Sequence, residues 1–369
     1  MRVLYIITGL GMGGAEIQTC LIADRITDAG NNVVIISLTG KTVVKPNNDI
    51  PIVELNIRKN IFSLFYSLFK ARAIIKKFKP TVIHSHMFHA NIFSRLLRII
   101  TNIPYLICTA HNTNEGNKIR MLAYRWTDKL ASISTNVSDE AVDAFIRKGA
   151  SFPNRIINVL NGIDTEKFKY TKLARINKRQ EIKIPDNKIM LLSVGRLTEA
   201  KDYPNLFKAY SLLANNETYA GRTRLYIVGT GHLEDSLKLM TKQLDISDSV
   251  FFLGVRNDIP ELMCASDLFV LSSEWEGFGL VAAEAMACQR VVVATDSGGV
   301  KEVIGNCGFL VPVKDHFALY DSILKVLNLS TIEKMELGAS ARNRIINSNS
   351  IETITKIWID LYNNSPLQR

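Results

Sequence analysis

Residues Arg2–Glu16 read RVLYIITGLGMGGAE, an apolar run, a glycine-rich loop and then helix-favouring residues. The run from Val3 to Ile7 is β-branched and aromatic without polar interruption, which suits a strand covered on both faces of a parallel sheet. The pattern predicts a helix from Ala15 to Ala29, with Gly30 ending it. NNVVIISL then reads as the next strand. TVIHSH (Thr81–His86) and PYLICTAHN (Pro104–Asn112) repeat the form, each an apolar run closing on small polar residues and histidine. Strand, loop, helix and strand in alternation predict a doubly wound α/β sheet.

The second half follows the same scheme. IMLLSVGRL, RLYIVGTG, SVFFLG, LFVLSS and RVVVAT read as strands, and NLFKAYSLLA and HLEDSLKLMTKQL as helices. The expectation is two Rossmann-like doubly wound domains, residues 1–163 and 164–350, facing across a cleft that takes the ligand. The polar TEKFKYTKLARINKRQ (Thr165–Gln180) reads as a linker, and IETITKIWIDLYNNS as an amphipathic helix within 351–369.

The 369 residues are 47% hydrophobic and 22% charged, which excludes disordered and collagen-like classes. No apolar run approaches the ~18 residues of a membrane span, and the start lacks the features of a signal peptide. Five scattered cysteines form no C-x-x-C pair, so free thiols in a reducing cytoplasm are expected. Residues 1–163 hold 20 Lys and Arg against 10 Asp and Glu, whereas residues 164–369 hold 25 of each. The net charge of +10 therefore belongs to the first half, and its partner is expected to be an anionic surface or polymer.

Several motifs stand at the predicted strand ends. GLGMGGAE, with Gly13 and Gly14, resembles a dinucleotide fingerprint, but the second strand ends IISLTG without the acid a nicotinamide enzyme requires. The loop either brings backbone N–H groups to a ligand or is a plain tight turn. Arg196 and Lys201 in GRLTEAK place two cations after a strand, as a diphosphate requires. Gly229, Gly231, Gly254 and Val255 lie at two further strand ends, where glycines serve either main-chain contact with a nucleoside or simple turns. His84, His86 and His89 cluster and His111 follows in TAHN, but no suitably spaced Cys or acidic ligand stands near them, so no metal is expected. A hydrogen-bonding role in the cleft suits His111 better. No D-x-D occurs to hold a diphosphate through a metal.

EWEGFGLVAAEAM (Glu274–Met286) sets Glu276 and Glu284 on either side of a glycine turn. These are either solvated acids or ligand groups. In the second case the N–H groups of Phe278, Gly279 and Leu280 take an anion, Glu276 takes hydroxyls of a sugar and Glu284 those of a ribose.

Taken in order, Gly13–Glu16, Asn161–Asp164, Gly195–Lys201 and the Glu276/Glu284 pair resemble the retaining glycosyltransferases of family four, with the GT-B fold. The resemblance covers nearly the whole chain and is densest from Ser193 to Gly305. It implies an N-terminal domain for the acceptor, a C-terminal domain for a nucleotide sugar, and a last helix crossing back to the first domain. It also implies sugar transfer with retained configuration, no metal and no further cofactor. His111 would bind the donor sugar, and Arg196 and Lys201 would stabilise the departing diphosphate. UDP is the expected nucleotide, and a glycan or polyprenyl-diphosphate-linked acceptor in surface polysaccharide (O-antigen or capsule) synthesis the expected context. A sugar-nucleotide epimerase and a non-catalytic sugar-nucleotide or polyanion binder are the alternatives. No nucleic-acid-reading motif is present. Arg58–Pro80 carries seven Lys or Arg, no acid, and Ile61, Phe62, Leu64, Phe65, Leu68 and Phe69. It predicts either a core helix with a basic outer face or a docking segment for the cytoplasmic face of an anionic membrane.

Overall fold

The structure is a computed structural model and describes residues 1–363 apart from Lys59, Asn114 and Asn117. The chain divides into two units, Met1–Gly162 with the chain from Ile351 onward, and Ile163–Ser350.

In the first unit β1 (Arg2–Ile7), β2 (Asn32–Ser37), β3 (Ile52–Glu54), β4 (Val82–His86), β5 (Leu106–Thr109), β6 (Ile133–Asn136) and β7 (Ile156–Asn158) form one sheet. Its order is β3-β2-β1-β4-β5-β6-β7, and every neighbouring pair is parallel. The connecting helices are α1 (Gly14–Asp28), α2 (Ile61–Phe78), α3 (Phe88–Ile100), α4 (Lys118–Thr127) and α5 (Asp139–Arg147). The unbroken apolar run of β1 is used on both faces. Val3, Tyr5 and Ile7 pack with Ile22 and Ile26 of α1, and Leu4 and Ile6 pack with Leu68 and Ile75 of α2 and Phe93 and Leu97 of α3. α1 ends as its glycine predicts: Gly30 has φ +79, its N–H reaches the Thr27 carbonyl at 2.9 Å, and the Asn31 N–H reaches that of Ile26 at 3.3 Å.

The second unit holds β8 (Ile189–Val194), β9 (Thr223–Val228), β10 (Val250–Phe252), β11 (Leu268–Leu271), β12 (Val292–Thr295) and β13 (Phe309–Val311). They are all parallel, in the order β10-β9-β8-β11-β12-β13. Around them lie α6 (Lys172–Glu181), α7 (Tyr203–Ala214), α8 (Glu234–Gln243), α9 (Ile259–Ala265), α10 (Leu280–Ala287), α11 (Val300–Ile304), α12 (His316–Asn328) and α13 (Thr331–Asn349). In each sheet the winding direction reverses once, between β1 and β4 and between β8 and β11. Sheets of this kind bind ligands beyond the carboxyl ends of their strands at such a reversal. Both units are therefore doubly wound and Rossmann-like.

The last helix, α14 (Ile351–Asn363), packs into the first unit through Ile351, Ile354, Trp358 and Tyr362. The Tyr362 hydroxyl lies 3.0 Å from that of Tyr5 and 2.7 Å from His84 Nδ1. The end of the expected helix, 364–369, lies outside the described residues.

One expectation is corrected. The segment read as a linker contains α6, which is docked into the second unit. Arg175 Nη2 contacts Asp267 Oδ1 at 2.5 Å, Arg179 Nη1 contacts Asp267 Oδ2 at 3.3 Å, and Lys178 Nζ contacts Asp258 Oδ2 at 2.6 Å. Its charges read as solvent-facing because their acids lie some 80 to 90 residues further along the chain. In α2 the apolar residues divide. Leu68, Ala71 and Ile75 enter the core, whereas Ile61, Phe62, Phe65, Tyr66 and Phe69 stay exposed, Phe62 at 83%. Lys59, part of the same basic segment, lies outside the described residues.

Candidate active site

In the second unit the loops after β8 and β11 meet at the winding reversal. β8 runs into Gly195, exposed Arg196 and buried Leu197. A short turn, Glu199–Lys201, then leads to Asp202, whose carboxylate accepts from the Asn205 N–H and caps α7. The β11 loop is bound to this one at three points. The Ser272 hydroxyl donates to the Lys201 carbonyl at 2.8 Å, the Glu274 N–H donates to that of Ala200 at 2.9 Å, and the Lys201 ammonium pairs with Glu276. The Ser273 hydroxyl donates to the same Glu276 oxygen at 2.7 Å.

The ion pair is largely out of water, its side chains 20% and 14% exposed. Removing one member of such a pair leaves an uncompensated charge, at a cost of about 3–5 kcal/mol. Gly195 makes room for it, since a Cβ there would lie 2.9 Å from Lys201 Cε. Arg196 has no hydrogen-bond or ion-pair partner among the described residues. The loops thus present one paired cation, one unpaired cation and one carboxylate in a small region.

Past Glu276 the chain turns through Gly279, at φ +88, and enters α10 at Leu280. A side chain at Gly279 would suffer both the left-handed backbone and a contact of 2.9 Å with Val300 Cγ2. No described residue accepts from the N–H groups of Phe278, Gly279 or Leu280. These donors at a helix start are what an anion requires. Glu284 stands in the second turn of α10. Burial pushes its carboxyl up to about 8 against the opposing pull of Lys167, and no described residue donates to it. A carboxyl enclosed without a donor is costly unless a ligand supplies one.

Gly229 and Gly231 have a clear packing reason. A Cβ at Gly229 would lie 2.1 Å from the Gly195 carbonyl oxygen, and one at Gly231 would lie 2.2 Å from that of Leu197. They let the β9 loop lie against the β8 loop that carries Arg196. Gly254, at φ +64, has open space around its Cβ position, and Val255 beside it is exposed.

In the first unit Gly13 precedes α1 and Gly14 is its first residue. A Cβ at Gly13 would lie 2.5 Å from Glu16 Oε2. The first turn of the helix thus carries the chain's own carboxylate, Glu16, close against Gly13, a favourable place for a negative charge. His111 follows the end of β5. Its Nε2 lies 3.1 Å from His86 Nδ1 and its N–H reaches Glu115 Oε1 at 3.3 Å. Burial lowers the His111 imidazole to about 4, and it raises the Glu115 carboxyl above its ordinary value. His84 is engaged by Tyr362 and by Thr109 Oγ1 at 2.6 Å, and His89 stands in the first turn of α3.

Two groups escaped the sequence reading. Ser272 and Ser273 tie Lys201 and Glu276 together from the end of LFVLSS, where two small polar residues at a strand end were the available signal. Glu115 lies behind His111 in a polar loop with no such signal.

The model "Glycosyltransferase Family 4" matches residues 12–167 and "Glycosyl transferases group 1" matches residues 174–344. An Escherichia coli protein named UDP-Gal:alpha-D-GlcNAc-diphosphoundecaprenol alpha-1,3-galactosyltransferase is 27% identical over 320 residues, 84% of this chain and 81% of that one. A Campylobacter jejuni protein named N-acetylgalactosamine-N,N'-diacetylbacillosaminyl-diphospho-undecaprenol 4-alpha-N-acetylgalactosaminyltransferase is 28% identical over 253 residues, 66% of this chain and 64% of that one. The crystal structure of HepE from Anabaena in complex with UDP superposes with a TM-score of 0.85 at 21% identity, covering 98% of this chain and 99% of that one. With two parallel-sheet units of this winding and both segment models matched in sequence order, the chain belongs to the family 4 glycosyltransferases of GT-B fold.

Proposed function

We propose that this glycosyltransferase moves a hexose or N-acetylhexosamine from a UDP-sugar to a glycan or polyprenyl-diphosphate-linked acceptor, with retention of configuration and without a metal. The observation that carries the reading is the junction of the β8 and β11 loops, where Lys201 pairs with Glu276 on loops that also carry exposed Arg196 and the free N–H groups of Phe278–Leu280. Cations and N–H donors suit a diphosphate, while Glu276 and Glu284 suit hydroxyls of the sugar and the ribose. Gly229, Gly231, Gly254 and Val255 line the neighbouring loop ends, where main-chain groups suit the nucleoside. In the first unit, which takes the acceptor, Gly13 and Gly14 open α1 after β1 and His111 serves the transferred sugar.

In the reaction the bond from the anomeric carbon to the diphosphate breaks and a bond to the acceptor oxygen forms on the same face. The acceptor proton passes to the departing diphosphate, whose growing charge Arg196 and Lys201 stabilise. A UDP nucleotide and a lipid-diphosphate acceptor are supported by what the relatives are named for. The test is a screen of purified protein against UDP- and GDP-sugars with and without a polyprenyl-diphosphate acceptor analogue. Acceptor-dependent release of nucleoside diphosphate is expected. Conversion of the donor sugar to its epimer without acceptor overturns the reading in favour of an epimerase.

The enzyme is further proposed to work on the cytoplasmic face of an anionic membrane, in O-antigen or capsule synthesis. The support is α2, with Ile61, Phe62, Phe65, Tyr66 and Phe69 exposed. Lys70, Arg72, Lys76, Lys77 and Lys79 have no ion-pair partner among the described residues. α4 adds exposed Ile119, Leu122 and Trp126. Each cation near an anionic surface contributes about 1 kcal/mol. In co-sedimentation at low salt the protein is expected to bind anionic vesicles and not neutral ones. Exchange of Lys70, Arg72, Lys76 and Lys77 for Gln lowers that binding and leaves turnover of a soluble acceptor analogue unchanged. Equal binding to both vesicle types, or to neither, contradicts it. No described helix is long and apolar enough to cross a membrane.

A further inference from the structure

We infer that His86 is a positioning residue that fixes the ring and the tautomer of His111, so that His111 meets its ligand as an Nδ1–H donor. The inference rests on the reading of His111 as a contact to the donor sugar, and it assigns work to a buried side chain that this reading leaves unused.

His86 is the last residue of β4, one strand away from the end of β5 that carries His111. It is 1% exposed. Its ring is held between neighbours, 4.0 Å from the His84 ring centroid and 5.7 Å from that of Tyr5. The backbone behind it is held as well. Met87 sits at φ +74, a conformation that residues with side chains rarely adopt, while its N–H donates to the Thr109 carbonyl at 3.0 Å. His86 therefore has little freedom to turn, and its Nδ1 faces His111 Nε2 at 3.1 Å.

Between two neutral imidazoles one of these nitrogens carries a hydrogen and the other does not. Burial holds both rings neutral near pH 7. The choice is decided at the far side of His86, where Nε2 is buried and has no partner. With its hydrogen on Nε2, His86 would bury an N–H without an acceptor. With the hydrogen on Nδ1, only a lone pair is left unmet, the lesser penalty, since orphaned buried N–H groups are the rarer kind. His86 then donates to His111 Nε2, and His111 carries its own hydrogen on Nδ1. No described residue takes that hydrogen, so it is available to a ligand oxygen.

The chain has six histidines, few enough for assignment of ring tautomers by long-range proton–nitrogen NMR on 15N-histidine-labelled protein. His111 is expected in the Nδ1–H form. His86→Leu is expected to release it into a tautomer mixture and to lower kcat by about tenfold to a hundredfold, the scale of a misplaced catalytic contact, with affinity for free UDP unchanged. His86→Asn, whose amide nitrogen replaces Nδ1, is expected to restore most of kcat. A wild-type His111 protonated on Nε2 overturns the inference, and so does a His86→Leu protein with wild-type tautomer and kcat. If His111→Ala retains full kcat, the reading of His111 itself fails, while the NMR result still decides the role of His86.

Discussion

Arg196→Ala lowers kcat by about a hundredfold to a thousandfold, the loss expected when a fixed donor to developing charge is removed, and its melting temperature stays at the wild-type value. The two expectations come from one observation. Arg196 is exposed and has no partner among the described residues, so the free protein loses nothing when it goes. Lys201→Ala lowers kcat on the same scale but also destabilises the fold, because among the described residues Glu276 is left with the Ser273 hydroxyl as its side-chain donor. EDTA is expected to leave the wild-type rate unchanged, because the proposed reaction meets the diphosphate with the Arg196 and Lys201 side chains. Steady-state kinetics and thermal melts on the same preparations check this. An EDTA-sensitive rate restored by magnesium or manganese contradicts it.

Glu284→Gln weakens UDP affinity by about 1.5–3 kcal/mol, the value of hydrogen bonds to a charged acceptor, whereas Glu276→Gln lowers kcat with little change in UDP affinity. The expectation for Glu284 carries a pH signature. Burial raises the carboxyl from 4.5 to about 8, so at pH 7 it is mostly protonated in the folded chain. The stability gained by staying neutral is fully present below the unfolded value and is lost as pH rises through about 8. Hydroxyl donors from a ribose favour the ionised form, so nucleotide binding releases a proton and tightens as pH rises from 7 toward 8. Calorimetry at pH 7 in buffers of different ionisation enthalpy is expected to find proton release in the wild type that is absent in Glu284→Gln. Equal proton counts in the two proteins, or loss of UDP affinity in Glu276→Gln alone, reverses the assignment.

The doubly wound winding was legible because parallel strands are buried on both faces. Runs such as Val3–Ile7 and Ile189–Val194 therefore carry no alternation, and glycines or small polar residues mark their ends. Pairings across long separations were not legible. The 75-residue interval between Lys201 and Glu276 hides an ion pair that the sequence offers as a cation and an acid with separate tasks. The same blindness turned α6 into a linker. Glycines are ambiguous for a related reason: Gly229 and Gly231 satisfy the pattern of ligand contact, yet each is already required where two loops approach. In α2 the composition did not say which aromatic side chains face the core, since that depends on how many neighbouring positions α3 and the sheet cover.

The most direct test of the account is the anomeric configuration of the product made by EDTA-treated protein from a UDP-α-sugar and a polyprenyl-diphosphate acceptor analogue, read by proton NMR. The account predicts an α-linked product, formed as fast as without EDTA. A β-linked product, or none until a divalent metal is added, would contradict it.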